Sequence, residues 1–267
     1  MEPSGTRPDP PARSATREQL RRRLGHAPAA WLADVLENPA LGPAAVVLLL
    51  RNREATTELL ERIAADRSWT AYHELRRGLA MHARTPLVTA RNLLPHLYWK
   101  DWVDIAADPA ANPVVRRQAE RMLLARLGDL GLGERIALAR RATRGLVRAF
   151  LDESHVRVVD SLLGNPRLVE LDVVTLAGRP SADREVLVRV AEHPVWGRRR
   201  AVRLVLLRRA ELPIQTALRV ARGLVRRDLQ ALVEDDRVPL IVRVDIERRL
   251  RRASGGKGAA NDAGTWS

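Results

Sequence analysis

The chain has 267 residues, 46% of them hydrophobic, and a formal net charge of +14. That is enough apolar material for a sizeable core, which excludes a wholly disordered chain. It contains no cysteine, so disulfides, thiolate-held zinc, iron–sulfur clusters and thiol catalysis are excluded as well.

The longest apolar run, Ala44 to Leu50, is 7 residues, far short of the roughly 20 a membrane span needs. The first fifteen residues lack the hydrophobic stretch of a secretory leader, and the cytoplasm is the expected compartment. Of the 46 basic residues only Lys100 and Lys257 are lysines. An arginine excess of this size suits a polyanion partner. In an Ala/Leu/Val/Pro-rich chain it is equally what GC-rich bacterial codon usage writes, and acidic residues are interspersed throughout.

In chain order, residues 1–16 are Pro-rich and read as a disordered tail. Residues 17–127 read as a string of short helices. Pro39, Pro86 and Pro113 each precede an apolar-periodic segment, where proline suits the first helical turn. Leu59, Ile63 and Ala64 form one helical stripe. Residues 128–146 supply a Gly-rich turn and a helix over 134–142. Residues 147–252 repeat the pattern of the first block, with Pro166, Pro213 and Pro239 again preceding helices and Ala217, Val220, Ala221 and Leu224 forming a stripe. Residues 253–267, small and polar, read as a second tail. No alternating β-branched run bounded by hairpin turns occurs, so strands are not expected.

Laid over residues 165–234 without a gap, residues 38–107 are identical at about 20 of 70 positions. Asn38-Pro39-Ala40-Leu41 falls on Asn165-Pro166-Arg167-Leu168, Trp69 on Trp196, and Asp101 on Asp228. The offset of 127 reads as a tandem duplication. Short helices of this kind bury their apolar faces only by stacking.

Asn-Pro-x-Leu followed by a Val/Leu helix, the segment Leu187 to Pro194, and the Val-Arg steps at Val115-Arg116 and Val156-Arg157 resemble α-helical repeats of the HEAT-like and leucine-rich-repeat-variant type. The resemblance covers most of residues 20–250. It implies an all-α, right-handed α-solenoid that serves as a binding scaffold, without enzymatic activity.

Residues kept in both copies are assigned to architecture: Trp69 and Trp196 to a buried corner between loop and helix, Asp101 and Asp228 to caps. Residues found in one copy are the better partner-binding candidates. Tyr98-Trp99-Lys100-Asp101-Trp102 faces Val225-Arg226-Arg227-Asp228-Leu229. Tyr98, Trp99 and Trp102 suit an interface hot spot or base stacking. The segment, with Asp104, also resembles the Trp- and Asp-bearing helix of HEAT-like alkylpurine DNA glycosylases, which implies Asp101 or Asp104 as a carboxylate at a damaged nucleotide.

Arg198, Arg199 and Arg203 head the densest basic cluster, set against Ala71, Tyr72, His73 and Arg76 in the first copy, and suit phosphate contacts. The six histidines form no HxxxH or HExxH pair, and no phosphate-cradling glycine loop or nucleophile elbow occurs. No metal, cofactor or catalytic residue is therefore assigned. The expected function is a scaffold or adaptor for a protein partner, with a nucleic-acid binder using an Arg-rich groove as the alternative.

Overall fold

A computed structural model describes residues 10–258, with side chains to residue 252. Among the described residues the chain is all-α: every regular element is a helix or a 3-10 turn. It divides into two compact units, residues 1–126 and 127–267.

Unit 1 contains α1 (Arg17–Arg23), α2 (Ala29–Leu32), α3 (Pro43–Leu49), α4 (Thr57–Ala65), α5 (Arg67–Thr70), α6 (His73–Met81), α7 (Leu87–Leu93), α8 (Trp99–Ala107) and α9 (Pro113–Arg126). One row is formed by α1, α3, α6 and α8, each packed on the next; α4 and α7 lie against α6, and α9 against α7 and α8.

Unit 2 contains α10 (Leu132–Arg141), α11 (Arg144–Ala149), α12 (Val156–Leu163), α13 (Glu170–Gly178), α14 (Arg184–Glu192), α15 (Arg200–Leu207), α16 (Ile214–Ala221), α17 (Arg226–Val233) and α18 (Leu240–Gly258). Here α10, α12, α14, α16 and α18 pack in succession, while α13 lies on α15.

Eight helices of unit 1 begin 127 residues before a helix of unit 2: α1 before α11, α2 before α12, α3 before α13, α4 before α14, α6 before α15, α7 before α16, α8 before α17 and α9 before α18. The short α5 has a 3-10 turn, Trp196–Arg198, as its counterpart.

The local causes are readable. Thr56 caps α4 by accepting the Leu59 N–H, and Leu59, Leu60 and Ile63 are buried behind it. In α14 the buried set is Val186, Leu187 and Val190. Each such side chain contributes roughly 1.5–3 kcal/mol when fully buried. Pro86 and Pro213 precede the first residues of α7 and α16, and Pro113 opens α9. Pro39 and Pro166 instead sit in turns, and α3 and α13 start four residues after them.

Two boundaries differ from expectation. Residues 10–16 are not free chain: Ala12–Ser14 form a 3-10 turn, Ala12 and Ala15 are buried, and Thr16 caps α1. They are held because Asn38 reaches back to the carbonyls of Ala12 and Ala15. At the other end α18 runs through residue 258, past the expected limit at 252. Residues 1–9 and 259–267 of the expected tails lie outside the described residues.

Candidate functional site

Successive layers are tied together by side chains that satisfy backbone groups of the preceding turn. The Asn38 amide donates to Ala12 O and Ala15 O at 2.7 and 2.8 Å, and its oxygen accepts the Ala40 N–H. Asn165 donates to Ala139 O and Ala142 O at 2.8 and 3.0 Å, and accepts from Arg167 N–H. Both asparagines are buried, where an unmade hydrogen bond is costly.

One layer on, Asn52 donates to Leu24 O and Ala27 O. Its counterpart Arg179 donates to Leu151 O at 2.6 Å and to Glu153 O. His82 pairs its Nε2 with Asn52 O, and its counterpart Arg209 donates to the carbonyls of Gly178, Arg179 and Pro180. His82 Nδ1 accepts the Arg84 N–H, so Nε2 carries the proton. Burial pushes the His82 pKa down, against the opposing pull of the Asn52 carbonyl and with a smaller contribution from Arg84.

The third device is ionic. Asp101, Asp172 and Asp228 sit in the first turns of α8, α13 and α17, all buried. Each meets the first residue of a helix one layer earlier: His73 for Asp101 at 2.9 Å, and Arg144 and Arg200 for the other two. Asp101 and Asp172 also accept the N–H of the residue preceding their helix, both at 3.0 Å.

Burial works against ionisation of Asp172, but the hydrogen bonds from Arg144 and Val169 outweigh it and hold its carboxyl below the usual range. The Arg200 bond does the same for Asp228, with burial opposing. Asp235, bonded by Arg237 and Arg208 against the penalty of burial, is held far below it.

These assignments revise several sequence expectations. Trp102 is buried, its indole N–H donating to Leu94 O at 2.8 Å, so it fills the core and presents nothing to a partner. Arg203 is not specific to unit 2. Its Nε donates to Gly197 O at 2.9 Å and its guanidinium to Gly223 O; Arg76, 127 residues earlier, donates in the same way to Thr70 O. Trp69 and Trp196 are only half-buried. Trp196 acts through its N–H on Leu163 O at 2.8 Å. Asp101 and Asp104 are engaged by Arg77, and Asp101 also by His73.

What stays at the surface is narrower. Tyr98 is 66% exposed at the start of α8, its ring 4.3 Å from that of His73. Trp99 is half-buried beside Lys100, whose Nζ stands 5.7 Å from the ring centre. Tyr72, missed at the sequence level, is 49% exposed just before α6. In unit 2, Arg198 and Arg199 are exposed before α15, and Val225 is 64% exposed before α17.

The two candidate clusters thus occupy one register. Tyr72 corresponds to Arg199 and Tyr98 to Val225: the first pair stands just before α6 and α15, the second just before α8 and α17. The 127-residue offset carried that signal, since it aligns Tyr72 with Arg199.

Among the described residues no group of three or more His, Asp or Glu side chains is arranged to hold a metal ion, and no helix is long and apolar enough to cross a membrane. The chain matches no family model, no curated protein and no solved structure.

Proposed function

We propose that the chain is a non-enzymatic scaffold or adaptor built from two tandem copies of a HEAT-like helical repeat, each unit stacked as an α-solenoid, and that it engages a protein partner. The contact surfaces are two equivalent helix edges: the N-terminal ends of α6 and α8 in unit 1, with Tyr72, Tyr98 and Trp99, and those of α15 and α17 in unit 2, with Arg198, Arg199 and Val225.

The single observation that supports this reading is how side chains are divided between the two tasks. Inside each unit, polar and charged groups at repeating positions are consumed in joining layers. At these edges exposed tyrosines in unit 1, and in unit 2 an exposed valine and arginines without an ion pair to any described residue, remain. Tyrosine, tryptophan and arginine are the residue types that dominate protein-interface energetics.

The alternative, nucleic-acid binding, rests on Arg198 and Arg199. It is weakened by the arginines around them: Arg200, Arg203, Arg208 and Arg209 are all engaged by carboxylates or carbonyls.

Affinity capture from a bacterial lysate tests the reading. It is run with and without nuclease, on the parent chain and on a Tyr72→Ser/Tyr98→Ser variant. The expected result is a discrete protein that survives nuclease and is lost with the two tyrosines. Recovery that collapses on nuclease, and persists in the tyrosine variant, would replace the scaffold by the nucleic-acid reading.

A further inference from the structure

Unit 1 holds a cavity of about 800 Å³ between the end of α3, the outer face of α6 and the loop after α8. That lies within the range of about 300–1,000 Å³ typical of small-molecule sites. Its floor is apolar: Leu50 lies over Gly78, where an added Cβ would come within 2.8 Å of Leu50 Cδ1, and Val47 and Met81 extend the surface.

The rim is charged. Arg77 is already engaged by Asp101 and Asp104. Arg51, Arg53 and Arg84 are exposed, and their guanidinium groups have no partner among the described residues. Glu74 and Asp108 share the rim, Asp108 accepting the Ala110 N–H. Three uncommitted cations against two carboxylates leave room for one negative charge. The His82 bond to Arg84 N–H fixes the turn that presents Arg84.

In unit 2 the same place is smaller and lined differently. The positions 127 residues later line a cavity of about 440 Å³. Met81 is replaced there by Arg208, whose Nε reaches Asp235, the counterpart of Asp108, at 2.7 Å. Arg51, Arg53 and Arg84 are replaced by Gly178, Pro180 and Glu211. The larger volume and the free arginines therefore occur together, and only in unit 1.

We propose that the unit 1 cavity is a binding site for a small amphipathic monoanion, with its carboxylate-type head on Arg51, Arg53 and Arg84 and its apolar body along Val47, Leu50 and Met81. The site is independent of the scaffold surface, since it shares no residue with it.

The test is titration calorimetry on the full chain, with decanoate as the probe and decanol and decylamine as matched controls. Decanoate is expected to bind, and the two controls at least about tenfold more weakly. Arg51→Gly/Arg84→Glu, which installs the unit 2 residues at exposed positions, should weaken decanoate by at least about tenfold. Met81→Arg should abolish binding by pairing with Asp108 and filling the cavity. Glu211→Arg in unit 2 should change nothing.

Absence of binding, equal binding of decanoate and decanol, or indifference to both the double substitution and Met81→Arg would each overturn the proposal. Circular dichroism establishes that the variants are folded, and the double substitution decides alone if Met81→Arg does not fold. Retained decanoate binding in the Tyr72→Ser/Tyr98→Ser variant separates this site from the partner surface.

Discussion

A single amide carries an unusual share of the order at the start of unit 1. Asn38 satisfies two carbonyls and one N–H in a buried setting, and the two carbonyls lie 23 and 26 residues earlier in the chain. Asn38→Ala is expected to lose about 2–4 kcal/mol, because the groups left behind are buried rather than returned to water. Asn165→Ala should lose a similar amount, and urea unfolding of both variants checks the pair.

Two glycines make a sharper contrast. A Cβ at Gly197 would run into the backbone carbonyl of Ala191, which cannot step aside, whereas one at Gly223 would meet only the end of the Arg203 side chain. Gly197→Ala is therefore expected to destabilise by about 1–3 kcal/mol, and Gly223→Ala by clearly less. Equal effects in a denaturant series would show that the turn at Trp196–Arg198 has freedom to shift.

At the scale of elements, the carboxylates at helix starts make the stacking pH-sensitive. Asp172 and Asp228 have their folded-state pKa values lowered below the roughly 3.9 of an unfolded aspartate. Their contribution is therefore complete at neutral pH and is lost as the pH falls through about 4 toward the folded-state values. Asp172→Asn and Asp228→Asn should each be less stable at pH 7 and show a flatter fall in stability on acidification. Urea unfolding from pH 2 to 8 gives both readings, and an acid limb as steep as that of the parent would exclude these pairs as its source.

Helices were legible in the sequence to a useful degree, because Pro86, Pro113 and Pro213 mark their starts and the Leu59/Ile63 spacing marks a buried face. The bonds between layers were not. Asn52 and Arg179 do one job with unlike residues, as do His82 and Arg209, so a comparison of identities passes over them. Residues 10–16 read as a tail because nothing local reveals an asparagine 23 to 26 residues downstream. The candidate surface was half legible. Tyr98 and Arg199 stand out by type, but Trp102 and Arg203 carry the same types and are spent internally, a distinction only burial and bonding make.

For the molecule as a whole, a charge of +14 invites a single explanation, yet its arginines fall into different classes. Arg144 and Arg200 grip buried aspartates through two nitrogens each. Arg179 and Arg209 each donate to carbonyls of the preceding layer through two nitrogens as well. Arg51, Arg53, Arg198 and Arg199 stay exposed with no ion pair to a described residue.

A lysine keeps the charge but cannot reproduce the planar fork that reaches two acceptors at once. If charge alone mattered, Arg→Lys would be neutral everywhere. The bonding predicts otherwise: Arg179→Lys and Arg209→Lys should each cost about 1–3 kcal/mol and Arg200→Lys should be destabilising through loss of its two-nitrogen grip on Asp228, while Arg198→Lys and Arg199→Lys should fall within about 0.5 kcal/mol of the parent. Urea unfolding of the five single variants makes the comparison at constant net charge. A uniform response would mean that the excess arginine reflects composition; the expected split would mean that much of the positive charge is consumed in building the stack, and that only the remainder is available to a partner.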